Sequence, residues 1–196
     1  MSHSESGFLV FFPVSYPTIG QQPKDSVIQM NSLVIMGVAG SGKSVVARAT
    51  AVALRKELVE GDDYHSPASR AKMRAGIALT DEDRTEWLET LGRVLVRQTE
   101  FGGAVLTCSA LRRNYRDRLR QATPGLMFVW LRIDEQVALE RVTRRAAEHL
   151  FPPALVASQF AALEPPTAEA DVLAVNATDP LDTVLDRILS HLKEKQ

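Results

Sequence analysis

Eight consecutive residues, Gly37-Val38-Ala39-Gly40-Ser41-Gly42-Lys43-Ser44, follow the pattern G-x-x-x-x-G-K-[ST]. That pattern holds phosphate. Its glycines let backbone N–H groups close around phosphate oxygens without side-chain obstruction. A helix opening at the end of the loop adds positive potential. Lys43 is expected to reach the β- and γ-phosphates of a nucleoside triphosphate, and the Ser44 hydroxyl to ligate magnesium. By composition alone the pattern arises in well under ~1% of chains of this length. The expected cofactors are therefore ATP and Mg2+.

A phosphate loop alone does not separate a kinase from a GTPase switch or a motor. No Asn-Lys-x-Asp guanine-reading motif is present, and the chain is too short for a motor's extra modules. A small kinase needs a carboxylate that activates the acceptor, a pocket for the acceptor, and an arginine-bearing lid. The carboxylate candidates are Asp62 and Asp63, at the carboxyl end of a short second strand. Ligands of open α/β sheets bind at that edge. Asp62 is preferred, either as proton acceptor or as a magnesium organiser. Asp63 reads better as a turn residue. The third strand ends in Thr107-Cys108-Ser109 with no Walker-B aspartate, which makes a carboxylate from the second strand more necessary.

These residues need elements to place them. Leu33 to Met36 is a continuous apolar run ending in glycine, the mark of a strand buried on both faces. Helix is expected over Val45 to Lys56, strand over Glu57 to Glu60, and a short helix over Pro67 to Ala75. Thr80-Asp81-Glu82-Asp83 has a capping-box arrangement, opening a long helix to about Glu100. Further strands are expected at Ala104 to Cys108, Leu126 to Leu131 and Val172 to Val175. Helices are expected at Leu111 to Gln121, Asp134 to Arg145, Ala154 to Leu163 and Pro180 to Leu192. Strands alternating with helices predict an α/β P-loop NTPase fold: a five-stranded parallel sheet, helices on both faces, and a mobile lid.

Bulk properties agree. The chain has 196 residues, 45% hydrophobic content and a net charge of -1. That suits one domain with a real core. It carries no basic excess for nucleic acid, and no run of about 20 apolar residues for a membrane span. The single cysteine, Cys108, builds no disulfide framework and fits a reducing, cytoplasmic setting. We read Cys108 as structural.

Four blocks in order resemble the gluconokinase family. Glu60-Gly61-Asp62-Asp63-Tyr64-His65 is similar to its segment after strand two. Lys72-Met73, Gly76, Leu79, Asp81-Glu82-Asp83-Arg84 and Trp87-Leu88 resemble its K-M-x-x-G-x-P-L-x-D-x-D-R-x-P-W-L block. Cys108-Ser109-Ala110-Leu111-Arg112 with Tyr115-Arg116 resembles C-S-A-L-K-x-x-Y-R. His149, then Ser158-Gln159-Phe160 and Leu163-Glu164-Pro165, resemble the last block. The likeness runs from about Val34 to the C-terminus. Departures are Ser69 for Asn, Ala78 and Glu86 for prolines, Arg112 for Lys, Glu148 for Gly and Leu150 for Phe.

The resemblance implies a sugar-acid acceptor, D-gluconate, phosphorylated at its 6-hydroxyl, and a homodimer. A sugar acid needs a cation and several polar groups. Arg84 is the preferred cation, and His65 a hydroxyl partner. Trp87 reads as a core anchor. Arg112 and Arg116 share a helix face at i and i+4. Arg112 is expected near substrate or the transferring phosphoryl group, and Arg116 in a salt bridge. Among Arg141, Arg144 and Arg145, which precede the lid around His149 to Pro153, Arg145 is the first choice to act. His149 and Gln159 are expected at the substrate, with Gln159 and Glu164 fixing the closed lid. Other acceptors (shikimate, adenylylsulfate, a nucleoside monophosphate) and an idle nucleotide-binding protein stay open at this point.

Residues 1–31 read as a poorly ordered leader, and residues 32–196 as a single kinase domain. Ser15 to Asn31 is rich in Pro, Gly, Gln and Ser and shows no helical period. Phe8 to Val14 is apolar, but no basic segment precedes it, so it does not read as a signal peptide. Deleting the residues before Met30 is expected to leave activity intact. A large loss of folded protein, measured by circular dichroism and soluble yield, would refute this.

Overall fold

The computed structural model describes residues 32–144 and 152–195. Its centre is a sheet of five parallel strands in the order β2-β3-β1-β4-β5. The strands are β1 (Leu33–Met36), β2 (Glu57–Glu60), β3 (Ala104–Cys108), β4 (Met127–Arg132) and β5 (Val172–Asn176). Among the described residues, seven α-helices connect and follow them: α1 (Lys43–Leu54), α2 (Pro67–Arg74), α3 (Asp81–Thr99), α4 (Arg113–Ala122), α5 (Glu135–Arg144), α6 (Val156–Ala162) and α7 (Leu181–Glu194).

Strand β1 shows why the sheet needs cover on both faces. Val34 and Met36 point to one side, and Leu33 and Ile35 to the other. The first side packs on Trp87, Leu88, Leu91 and Leu95 of α3 and on Tyr115 and Leu119 of α4. The second packs on Val46, Ala47 and Ala51 of α1 and on Val184, Ile188 and Leu192 of α7. Strand β1 therefore reads as an unbroken apolar run, because neither of its faces is left for water.

Several boundaries differ from expectation by one or two residues, and three of the differences have a plain physical reason. Helix α1 begins at Lys43, two residues early, because Gly42 adopts φ 90° and its carbonyl accepts the N–H groups of Val45 and Val46. Helix α4 begins at Arg113 rather than Leu111. Ala110 takes φ 43° and Arg112 is extended, so the chain cannot be helical there. The expected helix from Ala154 splits into a 3-10 turn, Pro153–Leu155, and then α6, as Pro153 brings no N–H to an α-helical ladder. The capping box at the start of α3 forms as expected: Thr80 and Asp83 exchange side-chain to backbone hydrogen bonds.

The order of strands decides where the site lies. Strand β3 stands between β1 and β2, while β4 and β5 extend on the other side of β1. The order in which strands are added thus reverses beside β1, and a crevice opens above its carboxyl end. No helix among the described residues is long and apolar enough to cross a membrane. Leu91 has 0% exposure at the centre of the α3 face. Leu91→Ala is expected to lower unfolding free energy by about 2–5 kcal/mol in denaturant titration, through lost burial and a residual cavity.

Candidate active site

The phosphate loop leaves β1 at Gly37 and enters α1 at Lys43. Gly40 has φ 79°, and a Cβ there would stand 2.6 Å from the Ala138 carbonyl oxygen. A Cβ at Gly42, φ 90°, would project into open space. The loop is thus tight against α5 and open on the side facing the cleft, as a phosphate cradle requires. Lys43 Nζ donates to the Val38 carbonyl at 3.1 Å. Burial pushes the Lys43 ammonium below its ordinary range, against the pull of Asp62 and Glu60.

Beside the loop lies a residue that the sequence reading did not assign. Glu60, the last residue of β2, accepts the Ser44 hydroxyl at 3.0 Å and the Thr107 hydroxyl at 2.7 Å through one carboxylate oxygen. Strand alternation gave a usable signal. Val59 packs on the α3 side, so Glu60 falls on the α1 side, where the phosphate loop opens. What sequence could not supply was β3 bringing Thr107 between them. The next residue is held as tightly. A Cβ on Gly61 would meet the Thr107 carbonyl oxygen at 2.1 Å, so only glycine fits. Gly61 N–H donates to the Thr107 hydroxyl at 3.1 Å, and Trp87 Nε1–H donates to the Gly61 carbonyl at 2.8 Å.

A 3-10 turn over Gly61–Tyr64 then presents Asp62 to the cleft. His65 Nε2 lies 3.8 Å from Asp62 Oδ1, and its ring stacks on Trp87 with centroids 4.2 Å apart. Trp87 is therefore both core anchor and support for the site. Asp63 turns away to Arg70, at 3.9 Å. Arg84 lines the same cleft, with a guanidinium N–H on the Leu79 carbonyl and the group 5.8 Å from the Tyr115 ring. Met73, Leu79 and Leu155 form a small buried apolar cluster along the wall.

Other expected residues fall elsewhere. Arg112 is outside the cleft lining and binds both carboxylate oxygens of Asp81, at 2.7 and 2.9 Å. Asp81 also accepts the Tyr115 hydroxyl, which with Arg112 holds its carboxyl below the usual range. This exposed pair, not the cleft, takes the Arg112 charge. Gln159 lines the cleft, but its side-chain carbonyl accepts the N–H of Ala39 at 2.6 Å, so it holds the phosphate loop. Glu164 accepts the Arg113 N–H at 2.6 Å and caps α4. Arg116 is buried on Glu169. Arg145 and His149 lie outside the described residues. Of the lid arginines, Arg141 lines the cleft, with Nη1 3.4 Å from the Gly40 carbonyl and 3.2 Å from that of Ala177. Cys108 is buried and burial pushes its thiol up to about 12, so it carries no thiolate near neutrality.

The cleft has a phosphate loop on one wall, a carboxylate across from it and cations beside both. Fold and cleft together define the class: a P-loop kinase, with ATP as donor and a small molecule as acceptor. A family profile described as an AAA domain matches residues 33–166. The thermosensitive gluconokinase of Escherichia coli (strain K12) is 39% identical over 160 residues, covering 80% of this chain and 84% of that protein. The gluconokinase of Gluconobacter oxydans (strain 621H) is 40% identical over 162 residues, covering 82% and 90%. The crystal structure of a gluconokinase from Sinorhizobium meliloti 1021 superposes with a TM-score of 0.76 at 41% identity, over 84% of this chain and 92% of that one. The chain belongs to the gluconokinase family.

Burial holds the His65 imidazole neutral down to about 4, outweighing the attraction of Asp62. In the unfolded chain the same group ionises near 6.5. A lowered folded value means that the unfolded state takes up the proton first. Stability is therefore full above about 6.5 and falls as pH drops toward 4, by up to about 3 kcal/mol. Chemical denaturation across that window should show the fall, and His65→Phe, which keeps the stack on Trp87, should show a smaller one. An unchanged slope in His65→Phe would refute the assignment.

Proposed function

We propose that this enzyme transfers the γ-phosphoryl group of ATP to the 6-hydroxyl of D-gluconate, giving 6-phospho-D-gluconate and ADP. The observation that carries the reading is the placement of Asp62 across one cleft from the phosphate loop, with Arg84 and His65 on the same wall. Family membership supplies the acceptor.

The chemistry divides among named groups. The backbone from Gly37 to Ser44 receives the phosphates, and Lys43 neutralises β- and γ-oxygens. The 6-hydroxyl oxygen bonds to the γ-phosphorus, the bond to the β,γ-bridging oxygen breaks, and ADP leaves. The hydroxyl proton passes to the Asp62 carboxylate. Arg84 pairs with the gluconate carboxylate, and His65 takes a hydrogen bond from a hydroxyl. Arg141, already on the Gly40 carbonyl, is the described arginine best placed to meet negative charge at the nucleotide.

The donor set fits magnesium. Ser44 offers a hydroxyl oxygen with the Glu60 carboxylate 3.0 Å from it, and Asp62 lines the same cleft as Ser44, all oxygen donors of the kind the ion takes. When bound there, the ion neutralises charge on the β- and γ-phosphates. Glu60 contributes by accepting a hydrogen bond from the Ser44 hydroxyl, which leaves that oxygen's lone pairs free for the ion. We also propose that the enzyme works as a soluble cytoplasmic protein.

Coupled ADP release with a panel of sugar acids tests the reading. Gluconate is expected to stimulate release strongly, and no stimulation above ATP alone would sink it. Asp62→Asn is expected to lower kcat by about 10²–10⁴-fold while ATP affinity changes little. Near-normal turnover would remove Asp62 from its role.

A further inference from the structure

Arg116 is a buried cation, 1% exposed, whose hydrogen bonds join two distant segments. Its Nη1 donates to the carbonyls of Ala110 at 2.9 Å and Leu111 at 3.0 Å. Its Nη2 donates to the Glu164 carbonyl at 3.1 Å. Nε and Nη2 also reach the Glu169 carboxylate, which the two arginines Arg116 and Arg120 hold at about 2 although burial alone would raise it. A buried ion pair is weak evidence for stability, since well-packed apolar side chains often serve as well. The carbonyl contacts point to geometry instead.

Each segment that Arg116 ties down ends on the phosphate loop. Ala110 sits at φ 43°, a strained conformation for a residue with a side chain, and persists only if its surroundings hold it. Its neighbour Ser109 accepts the Gly37 N–H at 3.3 Å. On the other segment, Glu164 N–H donates to the Leu111 carbonyl at 2.9 Å. Five residues earlier, Gln159 accepts the Ala39 N–H at 2.6 Å. Two amides of the phosphate loop therefore take their positions from segments that one guanidinium locks together.

We propose that Arg116 is a positioning residue for nucleotide binding, holding Gly37 and Ala39 in place through Ser109 and Gln159. The inference rests on the nucleotide half of the proposed function and not on the acceptor. Lysine cannot reproduce it, because its single ammonium cannot serve a carboxylate and three carbonyls in a planar fork.

The neighbouring Arg120 provides the control. It pairs with Glu169, Asp171 and Asp117 in the same cluster but touches none of these carbonyls. Binding of a non-hydrolysable ATP analogue with magnesium, measured by calorimetry below the melting temperature of each variant, reads the effect without any acceptor. Arg116→Lys is expected to weaken binding about tenfold, on the scale that sub-ångström misplacement produces. In steady-state assays it should raise KM for ATP and leave KM for gluconate within about twofold. Arg120→Lys should lower the melting temperature and leave analogue affinity unchanged. Analogue affinity within twofold of wild type in folded Arg116→Lys would overturn the proposal, as would an equal loss in Arg120→Lys. If Arg116→Lys does not fold, Glu169→Gln loosens the same guanidinium and is judged by the same two outcomes. Wild-type failure on gluconate would refute the acceptor while the binding comparison still decides the role of Arg116.

Discussion

Glu60 and Gly61 meet Thr107 at a point where three strand ends converge, and the active site is built outward from that contact. The Glu60 carboxylate receives hydroxyls from the first turn of α1 and from β3. Gly61 sits so close to the Thr107 carbonyl that no side chain fits. With β2 seated there, the following turn carries Asp62 over the cleft and brings His65 onto Trp87. The phosphate loop and Asp62 keep their alignment because both hang from this contact. A shift of β2 along β3 would separate them while leaving either one intact.

Much of this was legible in the residues because local signals agreed with global ones. The strand β1 is apolar on every position since both faces are covered, and the glycine after it admits the loop. Thr80 and Asp83 announce the start of α3 by their spacing alone. The parts that were not legible depend on distant partners. Helix α4 starts late after Ala110 at φ 43° and extended Arg112, and its first N–H is met by the Glu164 carboxylate, 51 residues away in the chain. Glu60 owes its part to strand order, which alternation along one strand cannot reveal. Arg112 carries the right charge at the right edge, but Asp81 and Tyr115 take it first. Gln159 was assigned to the cleft, and its carbonyl is spent on the Ala39 amide.

Charge is used here in two different ways. In the cluster of Arg116, Arg120, Glu169 and Asp171, the Arg116–Glu169 pair is shielded from water, Arg120 and Asp171 flank it half-buried, and the ions serve as fixed braces. Around the cleft, by contrast, Asp62 is open to solvent while Lys43 is desolvated by its own loop. Desolvation raises the value of each interaction that the ammonium makes with phosphate. The chain thus keeps its paired ions behind the cleft and leaves Asp62 open to it.

The apolar trio of Met73, Leu79 and Leu155 draws α2, the approach to α3 and the turn before α6 into one seam. Leu155 belongs to the nucleotide side of the molecule, through α6 and Gln159. Met73 and Leu79 belong to the acceptor side. Parting the seam wets three hydrocarbon side chains, at about 25 cal/mol for each Å² exposed. Any separation of α2 from the turn before α6 would carry that cost. Side-chain size at these three positions therefore sets how firmly the two walls are held together.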